Sequence, residues 1–158
     1  MQFPYGLSDF GTLMREGYWY QDRSDRIARL EASGRQLIFL RPRRFGKSLL
    51  LSMLEHYYDL NRAEEFELLF GDLAIGRAPT PLRNQFYVMK WDFSLVPAHG
   101  AVGEIERALH DHLNDCIKAF AAHYRDRLPS PIEIDPDNAL SSWRSLLTLV
   151  EQTPHRLY

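Results

Sequence analysis

Apolar positions recur at different periods along the chain, and each change of period marks an element. Phe10, Leu13 and Met14 share a face at helical spacing, and Ser8 or Asp9 is placed to cap that turn. Tyr18, Trp19 and Tyr20 follow as an aromatic cluster, which reads as core packing. Ser24 stands where it can cap a second helix, with Ile27 and Leu30 inward and Gly34 as its stop. Gln36 to Leu40 then breaks the helical period. Gln-Leu-Ile-Phe-Leu is a nearly continuous apolar run, the pattern of a parallel strand buried on both faces. From Lys47 to about Leu60 the spacing is helical again, with Leu50, Leu51, Leu54, Tyr57 and Tyr58 toward the core. Asn61 to Phe70 predicts a further short helix, and the glycines and prolines of Gly71 to Arg83 predict a loop.

Phe86 to Phe93 is rich in aromatics and predicts a second strand, closed by a break at Pro97 to Gly100. Ile105, Leu109, Leu113, Ile117, Phe120 and Tyr124 recur at helical spacing and predict one long amphipathic helix. The prolines between Leu128 and Asn138 predict a loop, and Trp143, Leu146, Leu147 and Val150 a last helix. Pro154 to Tyr158 opens a further strand. Helices alternating with buried strands argue for an α/β domain. Residues 1–34 form its helical N-terminal segment. Residues 35–158 are expected to form its α/β core, and an ending on a strand's first residues predicts that this core is incomplete.

Composition narrows the class. Hydrophobic residues make up 45% and charged residues 25% of 158, which excludes a disordered chain, a collagen and a disulfide scaffold. No apolar run approaches the ~20 residues that span a bilayer, so no membrane partner is expected. The first residues lack the basic and apolar regions of a secretory signal. Cys116 has no second cysteine to pair with. Both features make the cytoplasm the default compartment. The net charge of −2 does not suit a nucleic-acid-binding polycation. Charge is nevertheless uneven. From Ala32 to Leu54 there is no acid, while Arg35, Arg41, Arg43, Arg44 and Lys47 all lie there. Such an island suggests an anion site, although a solvated basic loop has the same composition.

Arg41 to Ser48 reads Arg-Pro-Arg-Arg-Phe-Gly-Lys-Ser, between the first predicted strand and a helix. Gly46-Lys47-Ser48 fits the end of the P-loop pattern G-x-x-x-x-G-K-[ST], but Arg41 stands where that pattern begins with Gly. Gly46 lets the backbone approach phosphate oxygens with no Cβ in the way. Lys47 supplies a point charge to the β- and γ-phosphates. The Ser48 hydroxyl can ligate Mg²⁺. The helix N-terminus adds unpaired N–H groups, Leu49's among them, and a favourable dipole. Pro42 fixes its own φ and pushes Arg41 toward an extended conformation, so the strand exit must turn differently from a glycine-led one.

The octapeptide resembles the variant Walker A of the predicted AAA-ATPase-like family of prokaryotes, whose members open the loop with Arg-Pro-Arg-Arg-Phe-Gly-Lys. Tyr5-Gly6 with Asp9-Phe10 is similar to that family's N-terminal pattern. Tyr20-Gln21-Asp22-Arg23-Ser24 stands where the family has Tyr-Val-Asp-Lys-Thr, and differs at three of five positions. Asp92-Phe93-Ser94 resembles a family signature at a strand end. The resemblance covers most of the chain, as the N-terminal part of the domain. It implies a P-loop NTPase-like parallel sheet with flanking helices, binding ATP with Mg²⁺. It also implies a Walker B strand beginning near Leu157-Tyr158, so that the domain reads as truncated before that strand. Full-length relatives often continue into a nuclease-like domain of the PD-(D/E)XK type.

The expected nucleotide site is thus Arg43, Arg44, Phe45, Gly46, Lys47, Ser48 and Leu49, with Ser48 on the metal and Lys47 as the catalytic charge. Arg43 and Arg44 suit phosphate contact of the arginine-finger kind or structural salt bridges. Asp92 is the one strand-end acid that can stand in for a Walker B residue; its other reading is a turn cap. His112 and Cys116, at i,i+4, make only half a metal site and read as helix packing. The leading reading is MgATP binding, with hydrolysis doubtful in this chain. The alternative is a non-catalytic interaction module whose basic loop is structural or binds nucleic-acid phosphate. Nucleic acid is otherwise not an expected partner. A sheet short of a strand leaves unpaired backbone groups that favour self-association.

Overall fold

The computed structural model describes residues 2–158. The chain divides after Gln85 into two units. Together they give a helix-rich α/β fold with a small parallel sheet.

In the first unit, α1 (Phe10–Arg15) starts where Asp9 accepts a hydrogen bond from the Thr12 N–H at 2.7 Å. Ser52 of α3 (Lys47–Tyr58) ties the two helices together. Its hydroxyl accepts from the Phe10 N–H at 2.9 Å and donates to Asp9 at 3.0 Å. Gly11 permits this approach, because a Cβ there would collide with the His56 ring. His56 is buried and shares a 2.8 Å hydrogen bond with the Ser52 carbonyl. Phe10, Tyr57, Phe66 and Phe70 then pack as one aromatic core, with ring centroids 5.0 Å apart for Phe10–Phe70 and 5.5 Å for Tyr57–Phe70. Edge-to-face and offset contacts of this kind add to area burial.

Two local expectations change in this unit. Ser24 does not cap its own helix; Asp22 accepts the Ser24 N–H at 2.8 Å, and the buried Ser24 hydroxyl accepts from Ile75 at 3.1 Å. The helix there is a 3-10 turn (Ser24–Arg26) followed by α2 (Ile27–Ala32). Likewise Asn61 to Phe70 is a 3-10 turn (Leu60–Glu65) and then α4 (Phe66–Phe70), and the expected loop contains α5 (Ala74–Arg77).

The larger correction concerns Gln36 to Leu40. It forms no strand, and every residue in it is exposed, Ile38 by 89% and Leu40 by 85%. A strand is completed by hydrogen bonds to a neighbour, and no described residue of this unit forms a strand beside it. Leu51, expected in the core, is also exposed, because α3 turns Ser52, Met53 and His56 inward instead.

In the second unit β1 (Phe86–Tyr87) pairs in parallel with β2 (Arg156–Leu157). The ladder continues through Tyr158 N–H to Tyr87 O at 2.8 Å and Met89 N–H to Tyr158 O at 3.0 Å. The strand expected over Phe86 to Phe93 is therefore shorter than its apolar run, while the strand opening at Pro154 to Tyr158 is present. The long helix is α6 (Val102–His123), where the Glu104 carboxylate accepts the Ala101 N–H at 3.1 Å. The last is α7 (Ala139–Glu151), capped by Asn138, which accepts from Ser141 N–H at 3.3 Å. Tyr87, Ile117, Phe120, Tyr124 and Leu146 form the core here. Among the described residues, no helix is long and apolar enough to cross a membrane.

Candidate functional site

The octapeptide Arg41 to Ser48 folds into a turn that delivers the chain directly into α3. Two departures from ordinary backbone, one on either side of Phe45, shape it: Arg44 at φ 66° and Gly46 at φ 73°. Glycine takes that conformation without penalty, whereas Arg44 carries a Cβ and stores a modest strain. Gly46 is the N-cap of α3 and offers no side-chain cap. The Gly46 carbonyl accepts the Leu50 N–H at 2.9 Å. The preceding N–H groups, of Lys47, Ser48 and Leu49, make no hydrogen bond among the described residues. They are the unpaired donors that every helix start leaves, here with no side chain covering them.

Lys47 curls back over the loop. Its ammonium donates to the Arg41 carbonyl at 2.5 Å and to the Pro42 carbonyl at 3.0 Å. An ammonium has three N–H groups, so one donor remains. Two carbonyls on Lys47 also hold the loop's first turn in the absence of the glycine that the P-loop pattern places at Arg41. Arg43, Arg44, Phe45 and Ser48 are exposed, and Leu49 is half-buried. Neither Arg43 nor Arg44 makes an ion pair with a described residue. Both guanidinium groups are therefore available to an anion.

Next to this turn lies a cavity of about 760 Å³, lined in part by Phe45 and Gly46. Trp19 also lines it and stays 41% exposed. The aromatic cluster at Tyr18 to Tyr20, expected as core packing, thus supplies cavity wall at Trp19 and Tyr20. The signal was available in the cluster's position on a short stretch between two helices, but periodicity says nothing of which side is open.

A family model described as Predicted AAA-ATPase matches residues 4–157. The chain belongs to the predicted AAA-ATPase family. Neither a curated protein nor a solved structure matches it.

Other candidate residues of this AAA-ATPase-like chain have local partners of their own. Asp92 belongs to the second unit and is the N-cap of the 3-10 turn Phe93–Leu95. Its carboxylate accepts the Ser94 N–H at 3.0 Å. Hydrogen bonds from Ser94, side chain and backbone, hold it below the usual carboxylate range. Cys116 and His112 approach to 3.7 Å on α6. Burial pushes the thiol up, with the charges of Asp115 and Asp92 in support, the opposite of a metal-binding thiolate. No group of three or more metal-ligating side chains occurs among the described residues.

Asp9 and His56, behind α3, have perturbed titrations. Burial opposes the Asp9 charge, but hydrogen bonds from Thr12 and Ser52 outweigh it and bring the carboxyl down to about 2. Burial lowers His56, more than the nearby carboxylates of Asp9 and Glu55 can raise it. Both groups serve the α1–α3 junction rather than the loop.

Proposed function

We propose that the chain binds MgATP through the turn Arg41 to Ser48. The observation that carries this reading is a helix start with uncovered N–H groups, a left-handed glycine at its cap and a lysine ammonium held over the same turn. The residues fit a triphosphate. A Cβ-free Gly46 has nothing within 4 Å of the space a side chain would take. The N–H groups of Lys47, Ser48 and Leu49 supply donors, and the α3 dipole favours negative charge. Lys47 brings its remaining donor and full charge, and Arg43 and Arg44 add two unpaired cations. The exposed Ser48 hydroxyl would ligate Mg²⁺. When bound, the metal would neutralise phosphate charge and orient the phosphates.

Binding is supported further than turnover. Hydrolysis needs an acid on the far side of the metal and a group that orients water. The stretch from Ala32 to Leu54 holds no carboxylate, and Asp92 is engaged as a turn cap. Phosphate release at saturating MgATP is expected at background. Turnover that disappears in Asp92→Asn would assign Asp92 to the metal instead.

The test of binding is thermal. Ligand at 100 times its dissociation constant adds ~2.7 kcal/mol, which for a chain of this size raises Tm by roughly 5–10 °C. Lys47→Ala is expected to abolish most of that rise. No rise at millimolar MgATP, or an equal one in Lys47→Ala, removes the proposal. The competing nucleic-acid reading draws on the same exposed Arg43 and Arg44. It would appear as tight duplex binding that survives Lys47→Ala and falls with salt at a slope near −0.9 per phosphate contacted.

A further inference from the structure

The cavity beside the loop has a volume of about 760 Å³, within the range that holds small organic ligands. Its wall is mainly apolar and aromatic. Phe3, Trp19, Leu30 and Leu50 line it, and Gly46 and Phe45 bring it up to the cap of α3. The Phe3 and Trp19 rings stand 5.8 Å apart at 52°. The Trp19 N–H donates to the Gln2 carbonyl at 2.8 Å, which anchors this backbone. The Tyr20 hydroxyl donates to the Met53 sulfur at 3.2 Å, so its polar tip is already engaged. Charge on the wall has one sign. Arg23, Arg26 and Arg41 contribute, and no carboxylate does. A ligand that is planar and apolar at one end and anionic at the other suits such a wall.

We infer that this cavity takes the base of the nucleotide, stacked on the aromatic surface of Trp19 and Phe3. The inference rests on the phosphate reading of the loop, since Gly46 belongs to both the cavity wall and the helix start. Purines are preferred, because two fused rings cover more of an apolar wall than one. The wall carries little that reads a base edge: Gln21 is its one amide side chain, beside the arginines and the engaged Tyr20. Selection is therefore by stacking, which tolerates either purine because every base has a π-face. ATP and GTP are expected to bind within a few-fold of each other.

The experiment compares dissociation constants for MgATP, MgGTP and magnesium tripolyphosphate, which carries the charge without the base. Wild type, Trp19→Ala, Trp19→Phe, Phe3→Ala and Lys47→Ala are measured by titration calorimetry. ATP is expected to bind at least tenfold more tightly than tripolyphosphate. Trp19→Ala should cost ATP about tenfold, or about 1.4 kcal/mol, and leave tripolyphosphate unchanged. Trp19→Phe should recover most of that loss. Phe3→Ala, at a side chain 67% exposed, should shift ATP in the same direction without affecting tripolyphosphate. Equal affinities of ATP and tripolyphosphate for wild type overturn the base site and leave the phosphate loop standing. So does a loss in Trp19→Ala that is the same for both ligands. ATP affinity unchanged in Lys47→Ala, or no binding of any polyphosphate, overturns the loop reading and the base site with it.

Discussion

At the scale of single residues, His56 shows how burial turns a titratable group into a pH dependence. In the folded chain its proton affinity is lowered, chiefly by burial. In the unfolded chain it titrates near the ordinary value of about 6.5. Below that value the unfolded state takes up a proton that the folded state still refuses. Protonation then favours unfolding, so stability rises with pH through this window and is lost on acidification. The slope from one such group is at most about 1.4 kcal/mol per pH unit. Tm measured from pH 7.5 down to 5 is expected to fall, and to fall less in His56→Gln. Equal slopes in the two proteins would show that another group governs the acid limb. None of this was legible in the sequence, where His56 is one histidine on a helix. Its burial follows from Gly11, which lets α1 close over the ring.

At the scale of elements, two glycines in helices separate packing from propensity. Gly11 in α1 faces His56 and the Arg15 guanidinium, and a Cβ there would collide with the ring. Gly103 in α6 has nothing within 4 Å of a Cβ's place. Gly11→Ala is expected to destabilise by about 1–3 kcal/mol through overpacking. Gly103→Ala is expected to stabilise by a few tenths of a kcal/mol, roughly 0.5 at most, because the propensity gain is reduced in a helix's first turn. Urea midpoints of the two variants check both signs, and a stable Gly11→Ala would mean that α1 lies further from α3. The same contrast explains which elements the pattern reveals. α6 and α7 are long, amphipathic and closed by local caps, Glu104 and Asn138, so spacing alone outlines them. The 3-10 turns at Ser24 and Leu60 open on local side-chain bonds, Asp22 accepting the Ser24 N–H and Asp59 accepting the Asn61 N–H, whereas the bond from the Ile75 N–H to the Ser24 hydroxyl joins residues far apart in the chain. No local spacing encodes that contact.

At the scale of the whole molecule, the segment Leu37 to Leu40 is the feature most exposed to association. Its four side chains are all large, apolar and solvent-accessible, and a contiguous exposed apolar patch of this kind favours association. Sedimentation velocity is expected to show self-association that grows with concentration and weakens in Ile38→Lys. A monomer at all concentrations would mean that the segment is sheltered in solution. Much of the candidate site was set by the sequence alone. The basic window without acids, the glycine before Lys47, the helix that begins there and its uncovered N–H groups all follow from neighbouring residues. So do α6, α7 and the opening of β2. Tertiary structure decided the rest. It made Trp19 a cavity wall rather than core, and left Gln36 to Leu40 without the strand its apolarity suggests. The physical reason is the same in each case. Helices and caps satisfy their hydrogen bonds within a few residues, whereas a strand, a cavity or a buried face exists only through what lies opposite it, and a run of side chains does not specify that neighbour.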